Sequence, residues 1–181
     1  GAGHSQSMRQ RVDVNNGYFF RSIARRQNIT VNFDDICYLR PGRIAVFDGA
    51  TGAPIDPYKI DGYRLNTATT NAFESIDRQQ TLYGHLRRTL GGTLPLTLKS
   101  GFDLRRVKRD HRNPTATLTF VGRDGVANNA DDAAAVVVDE LFSQRIAPYG
   151  FPAVQWTSNE NLWDLSQSSP AYFTENAATT Y

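Results

Sequence analysis

Two neighbouring segments of this chain alternate apolar and polar residues, and this alternation limits the folds that the chain can adopt. In residues 94–109 the apolar residues Leu94, Leu96, Leu98, Phe102 and Leu104 alternate with polar ones, and in residues 75–88 Leu82, Gly84 and Leu86 do so. Successive side chains of a β-strand point to opposite faces. Each segment therefore predicts a strand with one apolar and one polar face, about as long as the roughly 9 to 11 residues with which a tilted strand crosses a membrane.

A short turn between the two segments predicts that they form a hairpin. Residues 89–93 contain Gly91 and Gly92, which tight turns between strands favour. One face is predicted to contact lipid, through Leu82, Leu86, Leu94, Leu96, Leu98, Phe102 and Leu104. The other face is predicted to line a polar lumen, through His85, Arg87, Lys99, Asp103 and Arg105. The alternative for this second face is the solvated surface of a soluble sheet.

The order of the connections favours a transmembrane barrel over a soluble meander. Strands are predicted near residues 17–24, 29–37, 75–88 and 94–109, with long loops over residues 40–70 and 110–181. The connections therefore alternate between short and long, as in outer-membrane barrels. Helices are predicted in the second loop, near residues 130–145 and 158–168. Acidic residues begin the first of these helices and Ser158 can cap the second.

Composition argues against several other classes of protein. The 20 Lys and Arg residues nearly balance the 18 Asp and Glu residues, and the net charge of +2 gives no reason to expect a nucleic-acid partner. Cys37 is the single cysteine, which excludes an internal disulfide and a cysteine cluster for zinc. No apolar window approaches the roughly 18 residues of a membrane-spanning helix.

No catalytic or metal-binding pattern emerges from the sequence. The three histidines are far apart, no nucleophile has a neighbouring base, and no cofactor fingerprint occurs, so we expect neither an enzyme nor a bound cofactor. The acidic stretch from Asp124 to Asp132 superficially suggests calcium, but its spacing does not fit a twelve-residue calcium loop. The first turn of the predicted helix at residues 130–145 explains these acids better.

Several runs of residues resemble one family of membrane proteins. The hairpin runs SIDRQQTLYGHLRR at residues 75–88 and LPLTLKSGFDLRR at residues 94–106 resemble barrel hairpins of TonB-dependent outer-membrane receptors. The segment QWTSNENLWDL at residues 155–165 and the PAYF that begins at Pro170 are similar to a loop of large members of that family. The early phrases GYFF and FDDI are similar to the family as well.

The resemblance implies an energy-coupled importer of the cell outer membrane. Such receptors have a barrel of about 22 strands, closed by an N-terminal plug and driven by the TonB complex. The chain would be an interior part of that barrel, a single segment over residues 1–181 with antiparallel up-and-down strands. Its expected partners are outer-membrane lipid, the TonB complex through a plug outside this segment, and a small-molecule, glycan or peptide ligand.

Both ends of the chain agree with this expectation. The first residue is Gly1 rather than methionine, which predicts a piece of a longer protein or a processed product. The alternative is that residues 1–4 come from a cloning vector. Tyr181 follows a polar run and is therefore not predicted to end the closing strand of a barrel.

A second interpretation of the sequence, as a different class of protein, stays open at this point. The chain could be a soluble β-rich binding or structural module, of the kind found in virions or surface layers, with a helical insert packed on an antiparallel sheet. The two readings differ in what lies on the apolar faces of the hairpin. A transport barrel leaves those faces as an uncovered band, whereas a soluble module covers them with a helix or a second sheet.

Overall fold

The computed structural model describes residues 1–37, 40–94 and 96–176 of the chain. Pro95 of the predicted hairpin, Tyr181 and the other last residues of the predicted loop 110–181 lie outside the described residues. The prediction of a mainly β, antiparallel fold is confirmed, with 51% of the chain in strands and 15% in helices.

The described residues form ten strands and one α-helix. The strands are β1 (Ala2–Arg11), β2 (Arg21–Arg25), β3 (Ile29–Cys37), β4 (Arg40–Asp48), β5 (Pro54–Ile55), β6 (Arg64–Thr70), β7 (Phe73–Leu90), β8 (Leu96–Arg112), β9 (Ala116–Phe120) and β10 (Phe173–Glu175). The helix is α1 (Asn159–Ser168). Short 3-10 helices span Val14–Asn16, Ala134–Val137, Phe142–Gln144, Pro148–Gly150 and Pro170–Tyr172.

These strands form three sheets, in the orders β1-β7-β8, β10-β9-β6-β2 and β3-β4-β5. Each sheet is open, and no closed barrel is found within residues 1–37, 40–94 and 96–176. The chain divides into two compact units, where the sequence predicts a single segment. The first unit, residues 1–11 and 72–113, contains the sheet β1-β7-β8, which we call the long sheet. The second, the core unit, comprises residues 12–71 and the described residues from 114 onward.

The long sheet is a hairpin of two long strands with a third strand added at one edge. Strands β7 and β8 pair without interruption from Glu74 opposite Arg112 to Leu90 opposite Leu96. The strands predicted at 75–88 and 94–109 are thus present with their ends moved by two or three residues. Strand β1 pairs with the other edge of β7, and the sequence shows no alternation there to predict it.

The core unit is organised around its four-stranded sheet, on which helix α1 packs. The buried cluster consists of Phe19, Ile60, Leu65, Ala68, Phe120, Ala134, Val137 and Leu162. Aromatic rings extend this cluster. The ring centroids of Phe19 and Trp163 lie 5.4 Å apart and those of Phe120 and Phe173 lie 5.2 Å apart, both pairs edge to face. Helix α1 begins after Ser158, whose Oγ accepts a hydrogen bond from the N–H of Asn161, as expected of an N-cap.

The prediction of a long loop over residues 40–70 is wrong, because this stretch contains β4, β5 and β6. Strand β4 forms a hairpin with β3, and its Val46 is buried. Pro41 lies where β4 has only β3 as a described neighbour, and edge strands are where sheets tolerate proline. Gly49, Pro57 and Gly62 lie in turns between short strands, whereas Pro41, Gly42 and Pro54 lie within strands.

The prediction of a helix at residues 130–145 is also wrong. Only the two short 3-10 helices at Ala134–Val137 and Phe142–Gln144 occur there. The backbone of this stretch bonds to other segments instead. Ala134 N–H donates to Tyr63 O at 2.9 Å, and Asp139 N–H donates to Trp156 O at 2.7 Å. Donors that pair with distant carbonyls cannot form a continuous helical ladder. The β-branched valines at 136–138 are poor α-helix formers. Val138, the last of them, has an extended backbone.

The strand predicted at residues 17–24 begins later, at Arg21. Gly17 ends a 3-10 helix in the left-handed conformation, with φ of 80°, which breaks any strand that would start there. Phe19, which the sequence assigns to the strand, instead inserts into the buried cluster before β2 starts. The predicted loop 110–181 likewise contains the short strands β9 and β10.

None of the helices in the described part of the chain is long and apolar enough to span a membrane.

Candidate functional site

The apolar residues of the hairpin lie together on one face of the long sheet. Directly opposed residues of an antiparallel pair share a face, and Leu82 lies opposite Leu104, as Leu90 lies opposite Leu96. We call this surface the leucine face; it consists of Leu82, Leu86, Leu90, Leu96, Leu98, Phe102 and Leu104. Its side chains are exposed, with fractional exposures from 43% to 66%. Leu94, also predicted for this face, lies before β8 begins and is more exposed still.

The leucine face has the height of a membrane strand. It occupies residues 82–90 and 96–104, which is nine residues in each strand, against the roughly 9 to 11 that a tilted strand needs. Farther from the turn the same face becomes charged, with Arg78 opposite Lys108 and Ile76 opposite Asp110. The apolar surface is therefore a band that ends, on the side away from the turn, at Leu82 and Leu104.

Arg88 interrupts the leucine face near the turn. It lies opposite Leu98 and only two residues before the end of β7. A long cationic side chain can lay its methylene stem on an apolar surface while its charged end reaches the boundary with water. The position of Arg88 at the end of the band fits this arrangement, whereas an arginine at mid-height would not.

The predicted lumen-facing residues all lie on the opposite, polar face. Asp103 is opposite Tyr83, Arg105 is opposite Thr81, and Arg87 is opposite Lys99. An Asp103 oxygen lies 3.1 Å from Nη2 of Arg105, and this hydrogen bond raises the pKa of the Arg105 guanidinium. The rings of Tyr83 and His85 lie 5.7 Å apart. The face thus combines charged groups and an aromatic pair, all of them exposed.

The acidic loop between β9 and the first valines does not cap an α-helix. The 3-10 helix Ala134–Val137 follows it, and that helix has no side-chain cap. The carboxylates of the loop accept hydrogen bonds from the loop itself. An Asp131 oxygen accepts from the N–H groups of Arg123 and Asp124, at 3.0 and 3.2 Å. Asp132 is fully buried, and burial raises the pKa of its carboxyl group. Within the described ranges no three His, Cys, Asp or Glu side chains are grouped as metal ligands.

Among the clefts in the core unit are two that the sequence does not predict. A cavity of about 290 Å³ is mainly apolar, with Ile23, Ile60, Tyr63 and Trp156 among its lining residues. A second cavity of about 380 Å³, which we call the arginine cleft, is polar. It is lined by Arg25, Arg26, Gln27, Asn28, Asp48, Gly62, Arg64 and Asn128.

The sequence does not predict these clefts because their lining residues come from segments that are far apart in the chain. The arginine cleft combines residues 25–28 with Asp48, Arg64 and Asn128. The one local signal is the doublet Arg25-Arg26, which lies between the strands predicted at residues 17–24 and 29–37.

No family model, curated protein or solved structure matches this chain. Function must therefore be argued from the geometry of the long sheet and of the core unit. The long sheet offers an apolar band of membrane height, and the core unit offers two clefts of a size suited to small ligands.

Proposed function

We propose that this chain is an interior segment of the barrel of a TonB-dependent outer-membrane receptor. The leucine face contacts the hydrocarbon of the outer membrane, and the polar face with His85, Arg87, Lys99, Asp103 and Arg105 faces the lumen. The observation that carries this proposal is the exposed leucine face, nine residues high on both strands of the hairpin. A water-soluble protein rarely leaves such a contiguous apolar patch uncovered unless it meets a partner or a membrane.

The edges of the long sheet support the same proposal. In hydrocarbon every backbone N–H and C=O must be paired within the protein. Strand β8 pairs only with β7 among the described strands, and β1 likewise pairs only with β7. Three strands cannot close a barrel, so in a membrane both edges must meet further strands of the complete protein.

In this proposal the core unit has the role of a folded outer loop. Long extracellular loops are a regular feature of outer-membrane barrels, and in this chain they would form a packed unit with its own buried cluster. Its clefts would bind the imported ligand, which could be a small molecule, a glycan or a peptide. Transport would then need the TonB complex, acting through a plug outside this segment.

One observation favours the alternative of a soluble β-rich module. The core unit buries large side chains completely, Phe19, Leu65 and Leu162 among them, as a domain stable in water does. The long sheet would then be an arm that associates with another protein through its leucine face. In a receptor the same core unit is a loop; in a module it is the principal domain.

The gene on either side of this segment separates the two proposals. We expect the upstream sequence to encode a plug domain, and the downstream sequence to encode further strands of about 10 residues that alternate apolar and polar positions. Sequencing the whole reading frame makes this measurement. A reading frame that ends close to this segment, or that continues into domains without alternating strands, would exclude the receptor and leave the module.

A further inference from the structure

We propose that the arginine cleft of the core unit binds a small anionic ligand through phosphate or carboxylate groups. The inference does not depend on the receptor proposal, because the cleft belongs to the core unit alone. It starts from the presence of three arginines, Arg25, Arg26 and Arg64, among the residues that line the cleft.

The first step is a like-charge pair in the sheet. Arg25, the last residue of β2, lies directly opposite Arg64, the first residue of β6. Cross-strand neighbours have Cβ atoms roughly 4.5–5.5 Å apart, and like charges there destabilise the pair. Within residues 1–37, 40–94 and 96–176, no salt bridge joins either arginine to a carboxylate. An anion between the two guanidinium groups would convert this repulsion into attraction.

The second step is the position of Arg26, which is held by the backbone. Its Nη1 donates to the carbonyl oxygen of Asp61 at 2.9 Å. A Cβ at Gly62 would lie only 2.7 Å from the same nitrogen, so any larger residue would displace the guanidinium. Gly62 also has a φ of 75°, which favours glycine. The sequence thus leaves room for this cation at the edge of the cleft.

The third step concerns Asp48, an acidic residue in the wall of the cleft. Its Oδ1 accepts hydrogen bonds from Ala50 N–H at 3.0 Å, from Thr51 N–H at 2.9 Å and from the Thr51 hydroxyl at 3.1 Å. These bonds, those of Thr51 above all, lower the pKa of Asp48, and the charge of Arg26 adds to the effect. One carboxylate, largely occupied by its own turn, leaves the charge of the three arginines mostly uncompensated.

The remaining lining suits a polar ligand with several acceptor oxygens. Gln27, Asn28 and Asn128 contribute amide groups, which can both donate and accept hydrogen bonds. Arg64 Nη1 already donates to the carbonyl oxygen of Asn128, another lining residue, which holds the Arg64 side chain at the cleft. Guanidinium groups bind carboxylate and phosphate oxygens in pairs, so two or three arginines favour a ligand with more than one anionic group.

The test is calorimetric titration of the whole 181-residue chain with citrate and, separately, with pyrophosphate, at low ionic strength. We expect heat of binding with at least one anion, and the anion that binds identifies carboxylate or phosphate as the preferred group. Arg25→Gln is expected to weaken binding roughly tenfold or more, because it removes charge-assisted hydrogen bonds. This variant keeps the Arg64 bond to Asn128 and removes a repulsion, so its melting temperature should not fall.

The matched control is the double variant Arg87→Gln/Lys99→Gln in the long sheet. These two residues are also opposed cations, but they lie outside the arginine cleft. We expect the control to bind the anion within about twofold of the unchanged chain, which separates a site from a general effect of charge. The proposal fails if neither anion binds, if Arg25→Gln binds as well as the unchanged chain, or if the control loses as much affinity. None of these results bears on the leucine face.

Discussion

In the complete barrel protein folded into lipid vesicles, Leu86→Arg is expected to lower the free energy of unfolding by about 2–4 kcal/mol. Leu86 is the middle residue of the leucine face on β7 and is 66% exposed. If that face meets lipid, Leu86 lies near the centre of the hydrocarbon, where a charged side chain is most costly. Reversible urea unfolding of the vesicle-bound protein measures the loss.

The matched control for this prediction is His85→Arg. It introduces the same side chain one residue away, on the polar face opposite the leucines. We expect it to change the free energy of unfolding by less than about 0.5 kcal/mol, since an exposed polar position tolerates a charge. Equal, small effects of the two substitutions would show that the leucines face water, which contradicts the receptor proposal.

In aqueous buffer, Phe19→Ala is expected to lower the free energy of unfolding of the chain by about 3–5 kcal/mol. Phe19 has no exposed surface, and its ring contacts those of Trp163 and Phe173 at centroid distances of 5.4 and 6.4 Å. Removing the ring leaves a cavity between the start of β2, helix α1 and β10. Urea unfolding followed by tryptophan fluorescence reports the change, because Trp163 forms one wall of that cavity.

Phe33→Ala is the control for the core prediction. Phe33 lies in β3 and is 53% exposed, so its removal leaves no closed cavity. We expect a loss below about 1 kcal/mol. If Phe19→Ala cost no more than this control, the buried cluster would not stabilise the core unit, and the picture of a folded loop with its own core would be wrong.

The long sheet could be predicted from the sequence because its signal is local. Apolar residues recur with a period of two near the turn, from Leu82 to Leu86 and from Leu96 to Leu104, and one glycine-containing turn sets the register of β7 and β8. Leu90 was missed as a member of the leucine face, since the predicted strand stopped at residue 88. Strand β1 was missed entirely, because its serine, glutamine and arginine residues carry no apolar alternation and its pairing with β7 is long-range.

The core unit shows why local patterns are insufficient elsewhere. Residues 130–145 have the acidic start and apolar spacing of a helix, but contacts with Tyr63, Leu65 and Trp156 use their backbone groups. Tertiary hydrogen bonds of this kind override weak helix propensity. The arginine cleft depends on the same long-range assembly, because the pairing of β2 with β6 is what brings Arg25 and Arg64 together.

The most direct test of the central claim is the environment of alternate side chains along β8 in the complete protein in lipid. After Cys37→Ser, single cysteines at residues 96 to 105 are labelled with a nitroxide, and collision rates with oxygen and with a water-soluble nickel chelate are measured. We predict a period of two: labels at Leu96, Leu98, Phe102 and Leu104 meet oxygen, and labels at Thr97, Lys99, Asp103 and Arg105 meet nickel. Equal nickel accessibility at both sets, or protection of the leucine positions from both reagents, would contradict a lipid-facing leucine surface.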